Sequence, residues 1–336
     1  MKKLMLIAAA CVALASCVKN EVEPVVVDNS PIGFQAVQSL EQTRALGDFT
    51  GPDFVSYAYL LQSGETWEAN KATAQLFFAG QVVTKSTVDT DTDGVLEWTT
   101  ATPYYWPEQG SLTFYAYSPS SISSPTVPSS VTTDGMKFVY NDDTYLNVDF
   151  MVADVETDKT ANNVPAIFRH KLTKVGFKIA KQSNQDNRTI RLTKVEFNNL
   201  ANEATFTQPS NGVSGDEKWD DWGAYTNDYD DQWTGDQVVN TTAAEITLVK
   251  KLFIPQNLAD DAEIKITYIV ETNINGVVSE ETVVEAATFD EIHGAEAVWN
   301  KNAYMVYTLT IGDGNQIYWA PKEYSWDDAI TPGTII

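Results

Sequence analysis

Alternation of apolar with other residues limits the fold of this chain more than any other feature. Apolar residues at every second position fall on one face of a β-strand, because successive side chains of a strand point to opposite faces. In residues 111–119, "SLTFYAYSP", Leu112, Phe114 and Ala116 share one face. The same period recurs in residues 172–181 ("LTKVGFKIAK"), 263–270 ("EIKITYIV") and 303–311 ("AYMVYTLTI"). The pattern predicts half-buried strands of antiparallel sheets.

Short glycine-containing turns separate the strand-like runs, as expected of hairpin loops. They are Asp93-Gly94, Asp134-Gly135, Asn275-Gly276 and Gly312-Asp313-Gly314. One stretch is ambiguous: residues 279–292, "SEETVVEAATFDEI", could start as a strand or as a helix capped by Ser279, and a strand is favoured at its start. The sequence therefore predicts an all-β fold.

Length and aromatic content predict two domains. Roughly 290 residues follow Arg44, and one sandwich usually holds about 100. The chain contains 9 Trp, 15 Tyr and 14 Phe, enough for two hydrophobic cores. A polar stretch, "DKTANNVPA", precedes a new strand, so we expect antiparallel β-sandwich domains in series at residues 45–163 and 164–336. The acidic, aromatic residues 210–236 are predicted to form a large surface loop of the second domain.

The first sixteen residues, "MKKLMLIAAACVALAS", have the charged start, apolar run and small residues of a signal peptide. The adjoining Leu14-Ala15-Ser16-Cys17 resembles the bacterial lipobox, in which the signal is removed and the new N-terminal cysteine, here Cys17, is lipidated. The alternative is an ordinary secretory signal with an incidental cysteine. We expect an exported protein anchored through acyl chains, with an extended tether after Cys17.

Composition excludes several classes of partner and site. The net charge of −24 would repel nucleic acid and anionic membrane surfaces. Cys11, inside the signal, and Cys17 are the only cysteines, so the folded part has no disulfide and no cysteine-based metal site. No apolar run after the signal reaches the roughly 20 residues that span a bilayer.

One acidic stretch has the spacing of a calcium loop. Asp89, Asp91 and Asp93 alternate before Gly94, as oxygen ligands do at the start of such loops. The twelfth position, however, is Thr100 rather than the bidentate glutamate. An acidic hairpin tip is the favoured interpretation.

Aromatic residues are interspersed with aspartates in the predicted surface loop. Flat rings beside carboxylates suit a sugar-binding surface, but the same rings could fold the loop onto its own sheet. The candidate glycan contacts are Trp219, Trp222, Tyr225, Tyr229 and Trp233.

No catalytic motif is present. The two histidines, His170 and His293, are far apart, and no G-x-S-x-G, H-E-x-x-H or P-loop pattern occurs. His170 is expected at the start of a strand, with a structural hydrogen bond. The sequence predicts no enzyme and no cofactor.

Arg44, in "SLEQTRALGDFTG", is the only basic residue between Lys19 and Lys71. It could be an isolated surface charge or a proteolytic cut site.

Three segments, taken in order, resemble the Bacteroidetes fimbrillin family, the Mfa-like pilus subunits. They are residues 104–119 ("YYWPEQGSLTFYAYSP"), 164–179 ("VPAIFRHKLTKVGFKI") and 299–311 ("WNKNAYMVYTLTI"). With the lipobox and the early "TRA", the resemblance spans nearly the whole chain. It implies two transthyretin-like β-sandwich domains and a structural subunit of a cell-surface pilus, or fimbria, that supports adhesion.

The resemblance also implies a route of maturation. Such subunits are exported by way of lipoprotein signal peptidase as palmitate-bearing outer-membrane lipoproteins, and an arginine-specific surface protease then removes the first strand. A strand from a neighbouring subunit fills the groove by donor-strand exchange, which builds a head-to-tail polymer. Mapped onto this chain, residues 17–44 hold the tether and the propeptide strand. Arg44 and Ala45 flank the cut, and the buried face of the lost strand carries Ile32, Phe34 and Ala36.

The C-terminal tail is the candidate donor, with Ile330, Ile335 and Ile336 as pocket-filling residues. Pro332 and Gly333 interrupt strand pairing, so stalk, tip and anchor positions all stay open. The alternative is a permanently anchored surface lipoprotein that binds host or bacterial glycans or proteins.

Overall fold

Alternating residues form strands over most of the chain that the structure describes. The computed structural model describes residues 31–40, 45–87, 96–125, 135–210, 217–220, 222–223, 225–226 and 232–326. Its strands are, in chain order, β1 (Phe34–Leu40), β2 (Ala45–Asp48), β3 (Phe54–Leu61), β4 (Gln75–Lys85), β5 (Trp98–Thr100), β6 (Ser111–Ser118), β7 (Met136–Asn141), β8 (Met151–Ala153), β9 (Glu156–Lys159), β10 (Val164–His170), β11 (Thr173–Lys181), β12 (Arg188–Asn198), β13 (Leu200–Ala201), β14 (Glu203–Gln208), β15 (Lys218–Asp220), β16 (Tyr225–Thr226), β17 (Trp233–Val238), β18 (Ala244–Ile246), β19 (Leu252–Phe253), β20 (Glu263–Ile274), β21 (Val277–Thr288), β22 (Ala303–Ile311) and β23 (Ile317–Ser325). Short helical segments are α1 (Trp67–Asn70), a 3-10 turn (Lys71–Thr73) and α2 (Phe289–His293). The predicted all-β fold class is confirmed.

The first sheet has nine strands and closes on itself. Its neighbours run β10, β8, β6, β3, β4, β5, β1 and β2, with β9 beside β6. β1 also pairs with β10, so the path of strands returns to its start. One hydrophobic core collects side chains from the seven strands of this closed path, β1, β3, β4, β5, β6, β8 and β10. Its members include Phe34, Phe54, Phe114 and Phe168. We call it the ring core.

Strand β6 is buried on both faces, which corrects the expectation of a half-buried strand. Leu112, Phe114 and Ala116 belong to the ring core. Tyr115 and Tyr117, on the opposite face, belong to a second core. That face is covered because a three-stranded sheet, β15-β14-β7, packs over it. Alternation alone cannot show that both faces of a strand are covered.

Strand β14 brings a segment from beyond residue 200 back to the first part of the chain. It pairs antiparallel with β7, from Glu203 opposite Asn141 to Gln208 opposite Met136. The two parts are therefore not simply consecutive, since one strand of the later segment completes a sheet over the earlier one.

The later part contains two facing sheets. One runs β18-β11-β22-β23 with β19 on β11, and the other runs β17-β12-β20-β21. Their shared core includes Phe177, Leu192, Ile266 and Tyr307. This is the predicted sandwich arrangement of sheets.

Two strand pairs are parallel, which corrects the expectation of antiparallel pairing throughout. β1 runs parallel to β10, and β11 runs parallel to β22. Parallel neighbours cannot be joined by a hairpin and need long connections. The members of each pair are accordingly far apart in the sequence.

The predicted boundary between residues 163 and 164 falls one strand before the change of sheet. β10 pairs with β8 and β1 of the first sheet, and the second part begins with β11. The polar stretch before β10 connects β9 to β10. The division of the chain into two domains stays a prediction.

The ambiguous stretch around residue 285 is a strand followed by a short helix. The turn Asn275-Gly276 has positive φ angles of 53° and 86°, as a type I′ hairpin turn requires. It joins β20 to β21, which continues to Thr288. Thr288, not Ser279, caps α2: its Oγ1 accepts from the backbone N–H of Glu291 at 3.2 Å. Glu291 Oε2 accepts from the backbone N–H of Thr288 at 3.0 Å, which completes a capping box.

A buried ionic cluster lies where the two parts of the chain meet. Nζ of Lys171 lies 2.9 Å from Oε1 of Glu217, and Nζ of Lys301 lies 2.6 Å from Oε2. Burial alone would raise the pKa of Glu217, but the two ammonium groups outweigh it and lower the pKa to about 2. Burial lowers the pKa of Lys171.

Substitution on either face of β6 should destabilise the fold. We expect Phe114→Ala and Tyr115→Ala each to lower the free energy of unfolding by about 3–5 kcal/mol, because both leave cavities in filled cores. The control Val139→Ala, at a side chain 60% exposed on β7, should change it by less than about 0.5 kcal/mol. Urea unfolding measures all three. A near-neutral Tyr115→Ala would mean that the second face is not buried.

Glu217 should make stability depend on pH at the acidic end. Its pKa is depressed in the folded chain, so its contribution is present above about pH 4.5 and is lost as the pH falls through about 2. We expect Glu217→Gln to lower the free energy of unfolding near pH 6, with the gap to the unmodified chain closing toward pH 2. Urea titrations at a series of pH values measure that gap. A constant gap would show that the ionised carboxylate contributes nothing.

Candidate functional site

Strand β1 is hydrogen-bonded on both edges. Along one edge it pairs parallel with β10, from Phe34 opposite Val164 to Gln38 opposite Phe168. On the other edge it pairs with β2 and, at Phe34, with Trp98 of β5. β1 thereby completes the wall of the ring core, although it is the first strand that the structure describes.

The predicted inward face of β1 lies against the ring core. Ile32 and Phe34 are 3% and 2% exposed, and Ala36 is half-buried against the same core. The Phe34 ring meets Phe54 and Phe114 edge-on, with centroids 5.5 and 5.8 Å away. Burying a phenylalanine of this kind stabilises by about 1.5–3 kcal/mol.

A buried polar contact holds the far end of β1. Gln38 is 4% exposed, and its Nε2 donates to Nε2 of His170 at 2.8 Å. Nδ1 of His170 then donates to Asp149 at 2.9 Å. Thr50 Oγ1 donates to Oε1 of Gln38 at 3.1 Å. The hydrogen bond expected of His170 is present, at the end of β10 rather than at a strand start.

The other face of β1 is held by Arg169. Its Nη1 donates to Oγ of Ser39 at 3.0 Å. Its Nε and Nη2 donate to the two carboxylate oxygens of Asp154, at 2.9 and 3.0 Å. Such a bidentate pair fixes the guanidinium plane, so Arg169 is a positioned partner for β1.

Neither Gln38 nor Ser39 was predicted from the sequence as a contact of β1. Gln38 has the same parity as Ile32, Phe34 and Ala36, so it continues the inward face. This spacing of two residues is the sequence signal that could have predicted a buried position for Gln38. Nothing in the local sequence points to Ser39, because its partner lies 130 residues away.

Several predicted site residues lie outside the described residues. These are the lipidation candidate, the arginine before the cut, the acidic triad and the tail residues: Cys17, Arg44, Asp89, Asp91, Asp93, Ile330, Ile335 and Ile336. Ala45 is the first residue of β2, so the predicted cut lies between two adjacent antiparallel strands. Trp326, ten residues before the end, stacks on His170 with ring centroids 4.3 Å apart. The tail therefore starts beside the far end of β1.

Among the aromatic residues proposed to contact glycans, Trp219 and Trp233 pack on different cores. Trp219 packs on Phe206 at 5.2 Å between centroids, and its Nε1 donates to the Lys171 carbonyl at 3.2 Å. Trp233 packs instead against the core of the later sandwich. Trp222 is 38% exposed. Tyr225 lies in β16, and Tyr229 lies outside the described residues.

Within the described ranges, no group of three or more His, Cys, Asp and Glu side chains could hold a metal ion. Over the same residues, no helix combines the length and apolar character that crossing a bilayer requires.

Comparison with known proteins gives the family. A model of fimbrillin-like proteins matches residues 43–322, well over half of the chain. The chain belongs to the fimbrillin-like family. The resemblance inferred from the sequence is thus confirmed, and the chain has a structural role as a pilus or adhesin protein at the cell surface. It is not an enzyme.

Solved structures share the fold. A fimbrial protein from Bacteroides vulgatus is 18% identical, with a TM-score of 0.61 over 88% of this chain and 99% of the other. A candidate cell adhesion protein from Parabacteroides distasonis is 11% identical, with a TM-score of 0.53 over 90% of this chain and 99% of the other. No curated protein matches this fimbrillin-like chain.

Gln38 and Gln35 allow a matched test of how β1 is held. In the uncut chain we expect Gln38→Ala to lower the free energy of unfolding by about 1–3 kcal/mol, because it leaves the buried His170 without that partner. Gln35→Ala, at an exposed position of the same strand, should change it by less than about 0.5 kcal/mol. Urea unfolding compares the two. Equal effects would mean that the Gln38 contact does not hold the strand.

Proposed function

We propose that this chain is the precursor of a pilus subunit that matures by losing β1. It is exported as a lipoprotein, with Cys17 carrying the acyl anchor. An arginine-specific protease cuts between Arg44 and Ala45, which frees the chain from the anchor. A strand from a neighbouring subunit then takes the place of β1.

The observation that carries this proposal is the position of β1. It lies on the N-terminal side of Arg44, yet it supplies Phe34 to the ring core and backbone pairing to β10. A cut after Arg44 would separate β1 covalently from every other strand. If β1 then leaves, the edge of β10 and the ring core lie open.

An open edge of this kind favours polymerisation. Unpaired N–H and C=O groups beside exposed apolar side chains recruit another strand, with main-chain hydrogen bonds for affinity and side-chain pockets for specificity. The donor and the groove are different surfaces, so the contact is head-to-tail and can repeat without closing. In the precursor, β1 occupies its own groove and blocks premature assembly.

The C-terminal tail is the proposed donor. It follows Trp326, and its Ile330, Ile335 and Ile336 would fill pockets in the groove of the next subunit. Pro332 and Gly333 limit continuous pairing. A chain with a groove but a poor donor would sit at the tip of a filament.

The first test is the N-terminal sequence of protein released from the cell surface. We expect mature chains that begin at Ala45 and form polymers that resist mild detergent but dissociate on boiling. Arg44→Ala should leave a lipid-bearing monomer, because the protease loses its site. Arg191→Ala, at another arginine on β12, is the matched control and should mature normally.

A second variant separates cutting from assembly. A chain that ends at Trp326 should be cut after Arg44 but stay monomeric, because it lacks the donor. Normal polymers from that variant would refute the tail as donor. Lipidated Cys17 on monomers of both the unmodified chain and Arg44→Ala would refute maturation and leave a permanently anchored adhesin. Loss of glycan binding by Trp222→Ala would support a glycan-binding role for such an adhesin.

A further inference from the structure

A lysine and an aspartate meet in the interior of the molecule, and a second, exposed aspartate reaches the same amine from the surface. The side chains of Lys250 and Asp142 are 2% and 1% exposed, and Nζ lies 2.5 Å from Oδ1 of Asp142. Oδ1 of Asp143 lies 2.8 Å from the same Nζ. Lys250 and Asp142 are 108 residues apart in the sequence. The cluster joins the end of β7 to the segment between β18 and β19.

The backbone on both sides of the cluster is fixed by hydrogen bonds. Asp142 N–H donates to the Asn202 carbonyl at 2.9 Å. Lys250 N–H donates to Oε1 of Gln232 at 3.2 Å. The Phe253 ring centroid lies 5.3 Å from Nζ, so the amine also faces an aromatic surface. The amine and the carboxyl are thus held together where little water reaches them.

Burial destabilises the charged form of such a pair. Removing an ammonium and a carboxylate from water costs several kcal/mol per ion, and their attraction recovers this only in part. A neutral amide carries no such cost, and the water it releases regains bulk hydration. Groups held at contact distance can react with effective molarities of about 10⁵ M or more. Burial and proximity therefore both favour condensation of the two side chains.

We propose that Lys250 and Asp142 form an intramolecular isopeptide bond. Asp143 takes a proton from the ammonium, and the neutral amine attacks Cγ of protonated Asp142. The N–Cγ bond forms and one Cγ–O bond breaks. Asp143 gives its proton to the departing hydroxyl and takes a second proton from the nitrogen. The products are a secondary amide, one water molecule and one proton, which Asp143, 47% exposed, passes to solvent; no oxidant or reductant is needed. The inference does not depend on the proposed maturation.

A comparison with the buried Lys171–Glu217 contact shows why the Lys250–Asp142 pair is the one proposed to react. At Glu217 two ammonium groups face one carboxylate, and the pKa of Glu217 is lowered to about 2. That carboxylate stays ionised, and an ionised carboxylate is a poor acceptor for an amine. At Lys250 the ratio is reversed, because two carboxylates face one ammonium.

Asp143 suits the role of proton acceptor. Burial would raise its pKa, but hydrogen bonds from Lys250 and Asn202 outweigh burial and lower the pKa. It therefore stays ionised beside the ammonium. Asp142 is the more deeply buried of the two aspartates and the one whose carboxylate lies nearer to Nζ, so its carboxyl group is assigned as the electrophile.

Mass spectrometry of a tryptic digest of the full chain tests the bond. An unlinked chain gives peptides 138–159 and 219–250. Trypsin does not cut after an acylated lysine, so a linked chain gives one branched peptide. Its mass is the sum of peptides 138–159 and 219–251 less one water. We expect the branched peptide; recovery of peptides 138–159 and 219–250 as separate species would overturn the proposal.

Substitutions test which lysine forms the bond and whether Asp143 assists its formation. Lys250→Arg keeps the charge but should abolish the branched peptide, and Lys171→Arg, at the other buried lysine, should retain it. Asp143→Asn should slow formation of the bond by about 10²-fold or more, followed in samples taken after synthesis. An unchanged rate would overturn the role of Asp143. A branched peptide that persists in Lys250→Arg would assign the link to another lysine and overturn the proposal.

Discussion

Closure of the ring core by β1 is the interaction on which the first part of the fold depends. Seven strands supply side chains to that core, and their path closes because β1 pairs with β10. The closing strand is the one nearest the start of the folded chain. The same strand therefore seals the core and is the one whose loss we propose during maturation, which would open the core and leave an edge.

The apolar and the polar contacts of β1 have different effects, on its affinity and on its register. Phe34 fills the core, while Gln38 and Ser39 meet His170 and Arg169 of β10. Apolar contacts supply most of the affinity, and a buried polar contact penalises a shifted register because its partners would be left unpaired. The polar pairs therefore define one register for β1.

The sequence predicted individual strands and turns better than it predicted which distant segments pack against them. Alternation and turn residues identified β6, β11, β20 and β22, because period and turn chemistry are local properties. They did not reveal that β14 covers the outer face of β6, since that contact joins residues more than sixty apart. Alternation places Ile32, Phe34 and Ala36 on the inward face of β1, and Gln38 was not added to that face because glutamine side chains are mostly exposed. Trp219 illustrates the same limit: its position beside aspartates suggested a ligand contact, and in the structure its half-buried ring packs on Phe206.

Parallel pairing of β1 with β10 has a consequence for the order of folding during export. The segment that crosses the membrane first has its partner about 130 residues later in the chain. Such distant pairing is slow to form, because the chain loses the entropy of closing a long loop before the contacts between the strands can stabilise the pair. The apolar face of β1 is therefore unpaired and prone to aggregation until β10, about halfway along the chain, has been translocated. Tethering that end to the bilayer would keep it apart from other nascent chains during this interval.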